Sequence, residues 1–375
     1  MPDSPMDLGP LNESAPLSHK LEYLHGLLHD RFEHIDRISV VVYDPRTDLL
    51  KTFLQSSDDR SSLMQYEARL ADVPSLKQLV VSGRPRTIDD LRDYAGSQSE
   101  HTRQILATGY HSSYTVPMFL QDEFYGFIFF DSLAPARFTD ELIAHIDPFA
   151  RLLALLVINE RRSVRALVAV TKTVRYMTSR RDCETGEHLE RMSHYCRLIA
   201  RELAATHGLS DEYIENLFLF APLHDVGKVA IPDSILLKPG PLTPDEFDVM
   251  KTHAKKGLEI IDFMLHEFGL IHLAYVDIMR NIVQLHHEAV DGGGYPFGLR
   301  GEAIPLEARI TATADIFDAL TSRRHYKPAW SIDTAFAELR QVAGKKLDEQ
   351  CVEALIRCRG DVETIRAQFQ ETTFG

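Results

Sequence analysis

The chain has 375 residues, with 41 Lys and Arg against 55 Asp and Glu, a formal net charge of -14, 44% apolar and 26% charged residues. That balance suits two globular domains of ordinary size and excludes a protein that coats nucleic acid, which needs a basic face. It does not exclude a small anionic substrate, because metals and a few local cations can make a positive pocket. The opening Met1-Pro2-Asp3-Ser4-Pro5 lacks the basic and apolar regions of a signal peptide. The most apolar run, Leu152 to Ile158, is too short to span a bilayer, so a cytoplasmic protein is expected. Cys183, Cys196, Cys351 and Cys358 form no CxxC pair and read as free thiols.

Residues 1–17, rich in Pro, Ser and Asp, read as a disordered tail. Leu21 to Arg31 follows as a helix. Ile38 to Tyr43 and Leu49 to Leu54 read as strands of a hairpin around Asp44-Pro45-Arg46-Thr47-Asp48. Ser113 to Met118 and Phe124 to Phe130 repeat the pattern around Gln121-Asp122-Glu123. The first 138 residues are therefore predicted to be α+β with an antiparallel sheet. From Thr139 the period turns helical. Phe149, Leu153, Leu156, Leu167, Val170, Val174 and Met177 fall at heptad spacing, interrupted at Glu160 and Ser163. This predicts a connecting helix over residues 140–178 that pairs with its twin in a homodimer. The alternative is a helix packed on its own domain. Pro148 is expected to start or kink it.

Beyond residue 178 the pattern predicts only helices, in a bundle: His188 to Ala205, Asp211 to Leu223, Pro244 to His266, Ala274 to His287, Leu306 to Leu320 and Thr334 to Ala343. Thr243-Pro244-Asp245-Glu246 carries a capping box with Pro at the first helical position.

Polar residues interrupt these apolar segments at telling places. Glu184 and His188 are four apart and share a face if their segment is helical. His224-Asp225 closes the apolar run from Leu217, and His286-His287 ends another. His253 lies within a predicted helix, and Asp315 sits among small and apolar neighbours from Ile310 to Phe317. Buried carboxylates and histidines are costly unless metal or partners compensate. Their occurrence on five consecutive helical segments is how bundles build binuclear sites. His, Asp and Glu suit borderline or hard first-row metals.

Two resemblances sharpen this reading. Gly109-Tyr110-His111-Ser112-Ser113-Tyr114, with Val116-Pro117, Gly126 and Phe130, resembles the second half of a GAF sensory domain, over residues 18–158. Residues 1–160 contain no cysteine, which excludes thioether attachment of a bilin there. They also lack the Asn-Lys-Phe-Asp-Glu string of cyclic-nucleotide GAF domains, and no motif names a sensor ligand. The second resemblance is closer. Thr185-Gly186-Glu187-His188, His224-Asp225-Val226-Gly227-Lys228, Leu242-Thr243-Pro244 to His253, His286-His287-Glu288, Asp291-Gly292-Gly293-Gly294-Tyr295-Pro296 and Ala314-Asp315-Ile316-Phe317-Asp318-Ala319-Leu320-Thr321-Ser322 resemble the HD-GYP domain, a branch of the HD metal phosphohydrolases. The expected domain spans residues 165–375.

That resemblance implies hydrolysis of cyclic di-GMP to pGpG and on to GMP, under control of the N-terminal domain. It implies two or three metal ions, iron or alternatively manganese, and no organic cofactor. His188, His224, Asp225, His253, His286, His287 and Asp315 match ligand positions, with Asp225 bridging two metals. Glu184 matches the extra ligand of members that hold a third. Lys228 matches the lysine near the scissile phosphate, a catalytic role shared with Asp225. Asp318, Arg324 and Lys327 match substrate contacts, and Tyr295 offers a ring for guanine or simply packs. The chain departs from the family in a longer stretch between His253 and His286 and in Gly293, which replaces a bulkier residue. The alternatives are a catalytically weak cyclic di-GMP receptor that docks protein partners, and an HD enzyme for another cyclic dinucleotide.

Overall fold

The computed structural model describes residues 11, 15–57, 65–96, 100–178, 186–322 and 329–370. The chain divides into two units, Met1–Arg162 and Ser163–Gly375.

Alternating apolar residues build the first unit. Helix α1 (Leu17–His29) precedes β1 (Arg37–Asp44) and β2 (Leu49–Ser57), which form the expected hairpin. Short β3 (Glu67–Arg69), α2 (Pro74–Ser82), β4 (Arg86–Ile88) and α3 (Glu100–Ala107) lead to β5 (Ser112–Leu120) and β6 (Glu123–Ser132). The six strands lie in the order β3-β2-β1-β6-β5-β4, every pair antiparallel. Ile38, Val40, Val42, Tyr114, Ile128 and Phe130 pack on one face with Leu21 and Leu28 of α1. The predicted tail ends within this order, since Leu17 already opens α1 at 2% exposure; residues 1–10 and 12–14 lie outside the described residues.

Helix α4 (Asp140–Thr178) is 39 residues long, and Pro148 lies inside it rather than at its start. Its buried stripe packs on the chain's own domains, as in the second of the two readings. Ile146, Ala150, Leu153 and Val157 enter the core of the first unit, and Val164, Leu167 and Val168 that of the second. Leu156 and Val170, predicted on the same seam, are each 39% exposed. A helix packed on its own domain shows nearly the same spacing as a paired one, so the heptad count could not separate them. The side chains of Val174 and Met177 lie outside what is described.

The second unit is helical: α5 (Gly186–His207), α6 (Asp211–Phe220), α7 (Asp233–Leu236), α8 (Pro244–Lys251), α9 (His253–Glu267), α10 (Val276–Leu285), α11 (Leu306–Thr321), α12 (Ile332–Val342), α13 (Glu349–Arg357) and α14 (Arg359–Gln368). Its described residues hold no strand beyond two isolated bridges. The capping box at Thr243 and Glu246 is formed in both directions. The predicted helix from Pro244 to His266 is broken at Thr252, so that His253 opens a helix of its own.

Leu153→Ala is expected to destabilise the first unit by about 2–5 kcal/mol, because it empties a packed position. Leu152→Ala, at 60% exposure, should cost less than about 0.5 kcal/mol. Urea unfolding of the two variants measures the difference.

Candidate metal centre

The apolar run of α6 ends in a tight turn, Ala221–Leu223, that delivers His224 and Asp225 into the bundle at 0% and 3% exposure. Gly227 follows because nothing larger fits: a Cβ there would collide with the carbonyl of His253. The two segments are thereby pressed together backbone to backbone. His286 and His287 leave the C-terminal end of α10, and Asp315 projects from α11.

The rings of His224, His253 and His286 are oriented through Nδ1. That of His224 donates to the Ala221 carbonyl at 2.9 Å, that of His253 to Met250 at 2.8 Å and that of His286 to Ile282 at 2.8 Å. An N–H on Nδ1 leaves Nε2 as an acceptor. The Nε2 atoms of His253 and His286 and the Oδ1 atom of Asp225 are buried with no hydrogen-bond partner. These three buried atoms, facing one another, fit a cation.

The donor atoms fall into two groups. Asp225, His253, His286 and His287 form one, and His188, His224 and Asp315 the other, with ligand atoms within 4.8 Å of one another in each group. Asp225 stands between them. Its Oδ1 lies 3.3 Å from His253 Nε2 and 3.7 Å from His286 Nε2, while Oδ2 lies 3.2 Å from His224 Nε2. Lys228 completes its surroundings, with Nζ 2.7 Å from Oδ2. Burial alone would raise the Asp225 pKa, but Lys228, His224 and His286 outweigh it and hold the carboxyl well below its ordinary value. Burial lowers the pKa of His253, and burial with the neighbouring His286 lowers that of His287 well below the usual range. Ionised carboxylate and neutral imidazole are the forms that bind metal. The set can hold two divalent ions one carboxylate apart.

Asp318, read from sequence as a substrate contact, lies in the structure among side chains that bind it. It is 0% exposed, one turn after Asp315. Oδ2 takes His188 Nδ1 at 2.7 Å, and Arg191 binds the carboxylate at 2.6 and 2.8 Å. Ser322 Oγ adds a third partner at 2.9 Å. A carboxylate so engaged orients His188. Arg191 was missed in the sequence, where an arginine on α5 gives no sign of a partner 127 residues away.

Tyr295 packs as a tilted ring 4.7 Å from His287 and meets Phe247 edge-on at 6.2 Å. Glu288, also missed, is 5% exposed and accepts from the backbone N–H groups of Phe297 and Leu299 at 2.7 and 2.9 Å. It ties down the far side of the glycine-rich loop. Gly294 has a packing reason, since a Cβ would strike the backbone of residues 287–289. Gly293 is exposed. Glu184, Arg324 and Lys327 lie outside the described residues.

Asp318→Asn is expected to lower metal affinity about 10- to 100-fold, by loosening the ring of His188 without removing a donor. Competition with a chelator, read by metal analysis, tests this; unchanged affinity would return Asp318 to a purely structural ion pair.

Residues 162–351, just over half of the chain, match the HD domain, and residues 25–157 match the GAF domain. The chain is 47% identical over 219 residues to the cyclic di-GMP phosphodiesterase response regulator RpfG of Xanthomonas campestris pv. campestris, covering 58% of this chain and 54% of that protein. It is 37% identical to a cyclic di-GMP phosphodiesterase of Thermotoga maritima, over 53% of this chain and 51% of that one. It is 38% identical to the 3'3'-cGAMP-specific phosphodiesterase 2 of Vibrio cholerae, over 51% of this chain and 34% of that one. The chain spans about half the length, or less, of the curated relatives it matches. With the match to residues 162–351 extending over more than half its length, the chain belongs to the HD domain family.

Proposed function

We propose that the second unit is a metal-dependent phosphodiesterase that opens cyclic di-GMP to pGpG and cleaves it on to GMP in the cytoplasm, under control of the first unit. The observation that carries this reading is Asp225, whose two oxygens face two separate groups of histidines with Lys228 beside them. His224, His188 and Asp315 would hold one ion, and His253, His286 and His287 the other, with Asp225 bridging. Iron, or alternatively manganese, suits this mixture of imidazole and carboxylate. Two such ions supply an activated water and the charge that clamps phosphate oxygens.

The chain's own residues do the rest. Lys228, with 21% of its side chain exposed, offers an ammonium for the charge that develops on the leaving ribose oxygen, or for its proton. Arg324 and Lys327 anchor phosphate or guanine, and Tyr295 lines the wall beside His287. Leu152, Leu155, Leu156 and Val170 leave an apolar stripe of α4 exposed, which supports pairing of two copies through this helix. No helix among the described residues is long and apolar enough to cross a membrane. The relatives named for 3'3'-cGAMP favour testing that dinucleotide beside cyclic di-GMP.

Protein purified without oxygen should convert cyclic di-GMP to pGpG and then GMP, followed by chromatography over time. Asp225→Ala should lose both metal and turnover while keeping its helical circular dichroism. Arg324→Ala and Lys327→Ala should keep metal and weaken apparent affinity by about tenfold each, since charge-assisted contacts are lost. Turnover by metal-depleted Asp225→Ala protein would defeat the mechanism. Faster cleavage of 3'3'-cGAMP would move the substrate to that dinucleotide. Tight binding without turnover would make the protein a receptor.

Glu184 is proposed as the ligand of a third ion, four residues before His188. Metal counting on the same preparations should give three ions in the native protein and two in Glu184→Ala. Two in both would leave Glu184 as a helix-start residue, where an acidic side chain also suits the helix dipole.

A further inference from the structure

The match to the HD domain ends at residue 351, yet residues beyond it reach the helices that carry the metal centre. Helix α14 places Val362 and Ile365 in the core of the second unit. Its last turn and the residue after it bind two other helices. The Phe369 carbonyl accepts from Arg191 Nη1 of α5 at 3.0 Å. Arg366 Nη2 donates to the carbonyl of Thr321, the last residue of α11, at 2.8 Å. A cation there suits the unpaired carbonyls of a helix end.

α5 and α11 carry one group of donors. His188 lies on α5 and Asp315 on α11, and with His224 they bring their ligand atoms within 4.8 Å of one another. The route from the C-terminal segment to His188 is short. Arg191, at 4% exposure, gives its other nitrogens to Asp318 and Ser322, and Asp318 takes His188 Nδ1. A carbonyl, a guanidinium and a carboxylate thus stand in series between Phe369 and a donor ring. The guanidinium is planar, so fixing one arm of the fork fixes the others.

The side chain of Phe369 holds that carbonyl in place. Its ring stacks on His194 at 5.0 Å and 24°, and His194 also meets Phe218 edge-on at 5.1 Å. His194 lies one turn after Arg191, on the same face of α5. Ring and carbonyl of one residue therefore bind one stretch of one helix. The other group of donors has no such distant support. His253 and His286 are oriented by carbonyls three and four residues back in their own segments.

We propose that the segment from Arg366 to Phe369 is a clamp that governs the occupancy of one ion, the one held by His188, His224 and Asp315. The inference rests on the two-ion reading of the centre and adds its control. Seated, the segment holds Arg191 and the end of α11. Lifted, it leaves the ion of His253, His286 and His287 on its local supports and frees the other. A single ion cannot clamp both oxygens of an in-line displacement, so lifting the segment stops turnover without unfolding the bundle.

The test titrates manganese-loaded full chain with a chelator and counts the metal that stays bound at each step. Phe369→Ala should release one ion at about tenfold lower chelator concentration than the native protein, as for a metal ligand with a loosened support. The second ion should leave where it leaves the native protein. Phe369→Tyr keeps the ring and should restore native release, and Arg366→Gln should act in the same direction as Phe369→Ala. Leu339→Ala empties a core position that takes part in neither hydrogen bond, and should weaken neither ion selectively. Native release in both Phe369→Ala and Arg366→Gln overturns the clamp, as does equal weakening of both ions. Selective release in Leu339→Ala overturns it too, since any destabilised bundle would then behave so. A native protein that holds fewer than two ions overturns instead the two-ion reading, and the clamp with it.

Discussion

The second unit depends on how it compensates Asp225, a carboxylate at 3% exposure surrounded by imidazoles. Burying such a charge costs several kcal/mol unless opposite charge and hydrogen bonds replace its water, in the range of about 2–7 kcal/mol even for a neutral polar group. Lys228 supplies one positive charge at 2.7 Å. Burial opposes a positive charge on His253 and His287. Asp315 adds another carboxylate nearby, while the charge of Asp318 is cancelled by Arg191. The protein alone therefore leaves this pocket rich in lone pairs and short of positive charge. That deficit, more than any one distance, marks it as a cation site.

The helices exist in the arrangement that keeps those lone pairs converging. The break at Thr252 lets His253 start a helix and still reach back to Met250 with Nδ1. Gly227 admits the His253 carbonyl to the turn carrying Asp225. Glu288 fastens the loop that begins where His286 and His287 end. The first two meet where Gly227 abuts the His253 carbonyl, and the third holds the opposite end of the site.

How much of this was legible in the residues follows from what kind of interaction is involved. Runs of β-branched and aromatic residues in Ile38 to Tyr43 and Ser113 to Met118, bounded by turn residues, foretold the sheet, because that signal is local. The capping box at Thr243 was legible for the same reason. The break at Thr252 was not, since Thr-His carries no Pro or Gly and tertiary contacts decide it. Helices α13 and α14 were missed as well, although Asp348 caps the first of them by accepting from the N–H groups of Gln350 and Cys351. The pairing of Asp318 with Arg191 was not legible, because the sequence shows its spacing from Asp315 but not the arginine that reaches it from α5.

The manner in which the rings are held also makes the two halves of the site unequal. His224, His253 and His286 are steadied by neutral peptide carbonyls, whereas His188 is steadied by the charged carboxylate of Asp318. An imidazole whose far nitrogen faces a carboxylate is the more basic, more electron-donating one. The half of the pocket containing His188 and Asp315 would therefore donate more strongly to a bound cation, a polarity to which one buried ion pair contributes.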